Sequence, residues 1–268
     1  MKVAFRCDAS PLIGTGHMMR CLSFAEYLRI SGHHVVFIVR HILPGVEQLL
    51  IDKEFPLYFL PAAIEPNTSG EYAEWLGVSE ETDATHTLAY LADVDWVVVD
   101  HYALGSIWEG AIKNRIPHIA AIDDLLHRQH GCELLIDPNA KRELVKKSSM
   151  TVLSGPDYAF IRQEFLTARH RAKIRKDVKT VLLFFGGVDS KNMTAKAIHA
   201  LIPLIHDRRI AKVIVVLGQA SQNLSEIEAL CTRPEFELHI QTQQMADLMR
   251  QADVIIATAS SANWERCV

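Results

Sequence analysis

Lys2-Val3-Ala4-Phe5-Arg6-Cys7 opens the chain as a short apolar run, and the turn Gly14-Thr15-Gly16 follows it. A helical pattern then covers residues 18–30, before His34-Val35-Val36-Phe37-Ile38-Val39 repeats the apolar run. Within the helical pattern Cys21, Leu22, Ala25 and Leu28 share one face, and Gly32 stops it. Strand, glycine turn, helix and strand in that order is the repeating unit of a parallel sheet. Further apolar runs continue the alternation. One is expected over residues 56–60, and others end at Asp100 (Trp96-Val97-Val98-Val99-Asp100), at Asp123 (His118-Ile119-Ala120-Ala121-Ile122-Asp123) and at Asp137 (Leu134-Leu135-Ile136-Asp137). Continuous β-branched runs of this kind belong to strands buried on both faces.

A second unit of the same kind starts near Lys179. Strands are expected over 181–185, 212–217, 236–240 and 253–257, with helices over 192–206, 224–231 and 245–251 and the first turns of another over 260–268. Between the halves, Arg169-His170-Arg171-Ala172-Lys173-Ile174-Arg175-Lys176 reads as a solvated helix face and linker. The expected architecture is α/β: an N-terminal Rossmann-like domain over 1–155, a connector over 156–178 and a C-terminal Rossmann-like domain over 179–268, with a cleft between the domains. The chain stops at Val268, barely inside the helix after the last visible strand, so the second domain is expected to be truncated.

Composition narrows the function. The 268 residues carry 28 Lys and Arg against 32 Asp and Glu, a net charge of −4. No strongly basic stripe is available to neutralise a phosphate backbone, which argues against nucleic-acid binding. No apolar run approaches the roughly 20 residues of a membrane helix, and the first apolar stretch is too short for a signal peptide. A soluble cytoplasmic protein is expected. The five cysteines are widely spaced and form no CxxC, and the 13 histidines form no HExxH, so neither disulfides nor a metal site is expected.

In open α/β sheets ligands bind beyond the carboxyl ends of the strands. The polar residues there are Arg6, Asp8, Ser10, Gly14, Gly16, His17 and Arg20 after the first strand, then Asp100, His101 and Tyr102, Asp123 and Asp124, and Asp137 and Asn139. In the second half they are Gly186, Gly187 and Asp189, residues 241–245, and Ser260 and Ser261. The Gly14-Thr15-Gly16-His17 turn lacks the third glycine of a dinucleotide fingerprint and the Lys-Ser/Thr of a P-loop. It leaves His17 at a helix N-terminus, where the dipole disfavours an extra proton. A neutral histidine there fits a general base, and equally a histidine that caps the helix. Gly186-Gly187 and Ser260-Ser261 each precede a helix start and suit a diphosphate, although serine is also an ordinary N-cap. Glu265, one turn beyond Ser261, fits either a ribose acceptor or a surface helix residue.

Together these residues carry a resemblance. Arg6-x-Asp8-x-Ser10-x-x-Ile13-Gly14-x-Gly16-His17-x-x-Arg20-Cys21 resembles the N-terminal motif of the PseG family, the UDP-2,4-diacetamido-2,4,6-trideoxy-β-L-altropyranose hydrolases of pseudaminic acid biosynthesis. Trp75-Leu76-Gly77, Val99-Asp100-His101-Tyr102, Ile122-Asp123-Asp124, Gly155-Pro156-Asp157-Tyr158-Ala159, Phe185-Gly186-Gly187-Val188-Asp189, Met245-Ala246-Asp247-Leu248-Met249 and Trp264-Glu265-Arg266-Cys267 agree with it. The resemblance spans essentially the whole chain. It implies a GT-B fold similar to MurG, and an enzyme that releases UDP from an amino-deoxy sugar with inversion, without metal or cofactor, in the route to flagellin glycosylation. It implies His17 as catalytic base, Tyr102 in the sugar site, Met245 beside uracil and Glu265 on ribose. Asp8 is expected to orient His17, with Gly14, Gly16, Arg20 and Asn139 on the sugar side and Gly186, Gly187, Asp189, Ser260 and Ser261 on the UDP side. The expected partner is the UDP-sugar alone, with neither nucleic acid nor membrane, and the chain is expected to be a monomer or weak oligomer.

One departure from the family lies in Ala257-Thr258-Ala259-Ser260-Ser261, where many members are glycine-rich. Two other readings remain open: a GT-B glycosyltransferase in surface or spore-coat polysaccharide assembly, and an inactive fragment that binds a nucleotide sugar.

Overall fold

The computed structural model describes residues 1–63, 72–139, 150–259 and 262–268. The chain forms two compact units, Met1–Ile13 with His17–Phe160, and Gly14–Gly16 with Ile161–Val268.

The first unit holds the strands β1 (Lys2–Cys7), β2 (His34–Val39), β3 (Leu57–Phe59), β4 (Trp96–Asp100), β5 (His118–Ile122), β6 (Leu134–Asp137) and β7 (Thr151–Ser154). They form one sheet in the order β3-β2-β1-β4-β5-β6-β7, and every pairing is parallel. Its helices are α1 (Gly16–Ile30), α2 (Pro44–Asp52), α3 (Ala73–Leu76), α4 (Glu80–Leu88) and α5 (Ser106–Lys113). Strand order reverses between β1 and β4, which makes the ends of these two strands the switch point where α/β sheets bind ligands.

Both faces of this sheet are covered, which is why its strands read as continuous apolar runs. On one face Ala4, Val36, Ile38, Val97 and Val99 pack with Trp108 and Ile112 of α5. On the other, Phe5 stacks on Phe37 with ring centroids 5.3 Å apart and meets Phe24 of α1 edge-on. The helices α2, α3, α4 and α5 and the strand β7 lie beyond the sequence expectation. Helix α4 shows why. Ser79 caps it by accepting from the Thr82 N–H, and Glu80, Glu81 and Asp83 sit favourably in its first turn. The residues it buries are Asp83, Ala84 and Thr87, so it carries no apolar stripe.

The second unit holds β8 (Thr180–Phe184), β9 (Lys212–Leu217), β10 (Phe236–Ile240) and β11 (Val254–Ala257), all parallel in the order β10-β9-β8-β11. Helices α6 (Gln163–Arg169), α7 (Met193–His206), α8 (Leu224–Leu230), α9 (Met245–Gln251) and α10 (Ala262–Arg266) accompany it. Ile198, Leu201 and Ile205 of α7 and Ile227 of α8 cover one face of the sheet, and Phe165 of α6 with Met245, Leu248 and Met249 of α9 cover the other. The limits of the expected strands and of α7 to α10 differ by a residue or two, the usual fraying of element ends, but α6 lies beyond the sequence expectation, and of the helix face expected over residues 169–176 only Arg169 is helical. Among the described residues no helix is long and apolar enough to cross a membrane.

Candidate active site

The register of the sheet builds the site. Cys7, the last residue of β1, pairs with Asp100, the last residue of β4. Side chains alternate across a strand, and paired residues of neighbouring strands share a face. Asp100 therefore points to the side of Cys7, toward α1. There His17 and Arg20, three residues apart and on one helix face, both reach it. The Asp100 Oδ1 lies 2.7 Å from His17 Nδ1. Arg20 grips the same carboxylate with two donors, Nε to Oδ2 at 2.5 Å and Nη2 to Oδ1 at 2.6 Å. Its third donor, Nη1, reaches Asp124 Oδ2 at 2.8 Å, and Asp124 Oδ1 accepts from the Tyr102 hydroxyl at 2.6 Å. The Asn139 amide anchors the segment by donating to the Asp124 carbonyl at 2.7 Å.

Charge decides what the histidine can do. Burial works to raise the Asp100 pKa, but the Arg20 charge, helped by His17, overrides it and holds the carboxyl well below its usual range. An ionised carboxylate only accepts hydrogen bonds, so Nδ1 of His17 carries the hydrogen it donates to Asp100. In the neutral ring Nε2 is then the basic nitrogen. Arg20 Nη2 also lies 3.5 Å from Nδ1, at the limit of bonding distance, and two donors gain nothing from that contact. Burial pushes the Tyr102 phenol far above its ordinary pKa against the pull of Arg20, with Asp124 adding to the rise, so it stays protonated as a donor. The Asp124 carboxyl is lowered because Arg20 outweighs its burial.

An aromatic group surrounds the histidine. The Tyr102 ring meets His17 edge-on at 4.4 Å, and Trp75 of α3 stacks on Tyr102 at 5.6 Å. Tyr72 packs edge-on against both Trp75 and Tyr102, and His127 lies 5.1 Å from it. Rings of this kind offer flat apolar faces beside polar edges, which suits a sugar ring. Tyr72 and His127 are absent from the sequence expectation. Nothing in their local pattern signals them, because the cluster joins three separate connections.

Asp8 does something else. It lies two residues beyond Arg6, on the face opposite Asp100. Its carboxylate takes Arg6 Nη1 at 2.6 Å and Nη2 at 3.0 Å, the backbone N–H of Arg40 at 2.7 Å and that of His41 at 3.2 Å. Arg6 and Arg40 both reach Asp83, and Trp108 Nε1 donates to Asp83 Oδ1 at 3.0 Å. The contact with His17 expected of Asp8 is made by Asp100 instead. Arg20, expected on the sugar, is committed to Asp100 and Asp124. Gly14 adopts φ 77°, the left-handed conformation that favours glycine, and Gly16 is the first residue of α1.

In the second unit the expected UDP residues have mixed positions. Gly186 has φ 93°, and a side chain on Gly218, at the end of β9, would strike the Gly187 carbonyl. Asp189 precedes α7, and its carboxylate oxygens reach the helix start, accepting from the N–H groups of Met193 and Thr194, each at 2.9 Å. That helix end already holds a carboxylate, which competes with the diphosphate expected beside Gly186 and Gly187. Met245, the first residue of α9, is buried in the core. Both oxygens of Glu265 are taken by Arg162, through Nε at 2.6 Å and Nη2 at 2.8 Å. Ser260 and Ser261 lie outside the described residues.

No protein-family model matches the chain. Over 98% of its length it superposes on 74% of the crystal structure of Acinetobacter baumannii MurG, with a TM-score of 0.55 at 16% identity. The chain has a GT-B-like fold. UDP-GlcNAc 2-epimerase from Neisseria meningitidis, solved bound to UDP-GlcNAc, gives a TM-score of 0.57 at 12% identity, covering 98% of this chain and 79% of that one. In sequence this GT-B-like chain is 26% identical over 271 residues to the UDP-2,4-diacetamido-2,4,6-trideoxy-beta-L-altropyranose hydrolase of Campylobacter jejuni, covering 97% of this chain and 86% of the relative. It is 30% identical over 117 residues to the spore coat polysaccharide biosynthesis protein SpsG of Bacillus subtilis. That match covers 42% of this chain, and it spans only 34% of the relative's length.

Proposed function

We propose that this protein is a UDP-sugar hydrolase that cleaves a UDP-linked 2,4-diacetamido-2,4,6-trideoxy sugar to UDP and free sugar, with inversion and without metal or cofactor, in pseudaminic acid biosynthesis. The observation that carries this reading is the His17–Asp100 pair, 2.7 Å apart and held by Arg20 at the switch point of the sheet. The likeness to the Campylobacter jejuni hydrolase along 97% of the chain supports the substrate class.

In this mechanism His17 Nε2 takes a proton from water. The hydroxide attacks the anomeric carbon from the face opposite UDP, and the bond from that carbon to the UDP oxygen breaks. The bonding pair leaves with UDP, the sugar emerges inverted, and the imidazolium returns its proton to solvent. Asp100 stabilises that imidazolium and keeps Nδ1 as donor. One base suffices because UDP departs as a stabilised anion, unlike the two carboxylates of ordinary glycosidases. Tyr102, with Asn139 steadying its partner Asp124, serves the sugar. Gly186, Gly187, Ser260, Ser261 and the backbone at Met245 serve the nucleotide, and Glu265, set by Arg162, accepts from ribose.

The test is UDP release from the UDP-linked sugar with no acceptor present. His17→Ala should slow it by about 10²–10⁴-fold, the contribution of a positioned base. Unchanged turnover in that variant sinks the general-base assignment. The similarity to SpsG favours a second reading, a GT-B glycosyltransferase of polysaccharide assembly. Product formation that requires an acceptor alcohol, with no background hydrolysis, decides for it.

A further inference from the structure

Behind the His17 cluster, the connection from β5 to β6 meets helix α5. It carries Asp123, Arg128, His130 and Cys132, and α5 supplies Glu109. His130 bridges two carboxylates, with Nδ1 2.6 Å from Glu109 Oε1 and Nε2 3.0 Å from Asp123 Oδ2. Glu109 Oε2 accepts from the Gly131 N–H at 2.5 Å. One ligand atom each of Glu109, His130 and Cys132 lies within 4.8 Å of the others, and all three residues are buried. Nothing in the proposed hydrolysis uses this group.

A carboxylate, an imidazole and a thiolate are the donor set that zinc-class ions prefer. Asp123 on the second ring nitrogen is the outer carboxylate that metal-bound histidines usually have. With bonds of about 2.0–2.3 Å, neighbouring ligand atoms of a tetrahedral centre stand roughly 3.3–3.8 Å apart. The three donors already lie within reach of that spacing. The Glu109–His130 contact must open from 2.6 Å, through the proton that an ion would replace, and any donor pair near the 4.8 Å bound must close by about 1 Å.

We propose that Glu109, His130 and Cys132 form a binding site for a divalent ion of the zinc class, the ion exchanging for two protons, one from the His130 imidazolium and one from the Cys132 thiol. The exchange balances: one dipositive ion enters, two protons leave, and no electrons move. Its physical merit is that the net charge of a buried site stays the same, so the large cost of burying an unpaired charge never arises. The proton-loaded form fits the surroundings. Burial opposes the charge on His130, but Asp123 and Glu109 overcome it and raise its pKa, against a smaller opposing effect of Arg128. Burial, with Glu109 adding to it and Lys113 opposing, pushes the Cys132 thiol up to about 12. Metal uptake therefore competes with protons and strengthens as pH rises. A bound ion braces the connection that also carries Asp124 and His127, so its expected effect is on stability rather than on the chemical step.

The test uses the full chain, stripped with a chelator, dialysed and titrated with cobalt(II) chloride. One equivalent should give a thiolate-to-cobalt charge-transfer band and tetrahedral d–d bands, both removed by adding zinc. Calorimetry with zinc in two buffers of different ionisation enthalpy should count about two protons released per ion. Cys132→Ser should abolish the charge-transfer band, and Cys231→Ser should leave it intact. Asp123→Asn should weaken the metal by about 10–100-fold. A folded wild-type chain that gives no thiolate band, that releases no protons, or whose band survives Cys132→Ser overturns the proposal. Should Cys132→Ser fail to fold, the wild-type spectrum and the proton count still decide. UDP release takes no part in this test, so its failure and the failure of the hydrolase reading are read separately.

Discussion

Two buried charge networks meet near the ends of β1 and β4, and they serve different ends. In the first, Arg6, Asp8, Asp83 and Arg40 present side chains with no exposure at all, and Arg6 is paired on both sides. In the second, His17 keeps 8% of its side chain exposed and Asp124 19%, while the Asp100 between them is sealed. Both are built from arginine and aspartate in bidentate pairs, so residue type does not separate them. The open edge does. A sealed network, in which even the neighbouring ring of His101 is buried with its Nε2 3.4 Å from Asp8, specifies packing. A network with one titratable ring at its margin, its Nδ1 fixed and its other nitrogen basic, is equipped for proton transfer.

The sharpest way to break this contrast is to neutralise one aspartate in each network. Asp100→Asn should lower UDP release by about 10²–10⁴-fold, because the amide no longer fixes the tautomer or stabilises the imidazolium, while the fold survives. Asp8→Asn should do the reverse, costing stability and sparing the rate of the protein that remains folded. If steady-state kinetics and denaturant unfolding show the same pattern for both variants, the distinction fails. Next in size, Arg6→Met leaves the buried Asp8 without its guanidinium partner and Asp83 with Arg40 alone, and should cost about 3–5 kcal/mol in urea unfolding.

Acid unfolding sharpens the sealed network further. Burial raises the Asp8 and Asp83 carboxyls, but Arg6 outweighs it and holds both below their ordinary values in the folded chain. Such groups add stability that is present above the unfolded carboxylate value of about 3.9 and lost as pH falls through the lower folded values. The thermal midpoint should therefore drop below about pH 4, and Asp8→Asn should flatten that fall. His130 has the opposite sign, because its raised pKa gives stability that is full below about 6.5 and lost as pH rises through the folded value. In Tyr102→Phe the hydrogen bond to Asp124 disappears while the ring remains, and kcat/KM should fall by the equivalent of about 0.5–1.5 kcal/mol. Outside both networks, Asp189→Ala should cost about 1 kcal/mol of stability as a lost helix cap, read by urea unfolding.

Much of the fold was legible without coordinates. Runs such as Trp96-Val97-Val98-Val99 declare strands buried on both faces, and the turn before His17 marks the start of α1. Helix α4 was not legible, because its inward face is Asp83, Ala84 and Thr87, and a polar face buried by arginines carries no apolar period. His17, Arg20 and Tyr102 were visible as polar residues at strand ends, and they do gather in one cluster. Arg20 proved to be a clamp on Asp100 and not a free group, because guanidinium partners depend on contacts 80 and 104 residues away in sequence.

The amino-acid sequence by itself determined the alternation of strand and helix, since burying both faces of a parallel sheet requires continuous apolar runs, and it placed His17 in the first turn of a helix. Which aspartate meets that histidine was decided only in the tertiary structure. The register pairs Cys7 with Asp100 and so turns Asp100 toward α1, while the same alternation turns Asp8 away with Arg6. Glu109, His130 and Cys132 follow the same rule, having no signature spacing and meeting only because α5 packs against the β5–β6 connection. Pairings set by strand register and helix packing join residues far apart in the chain, and no local pattern carries them.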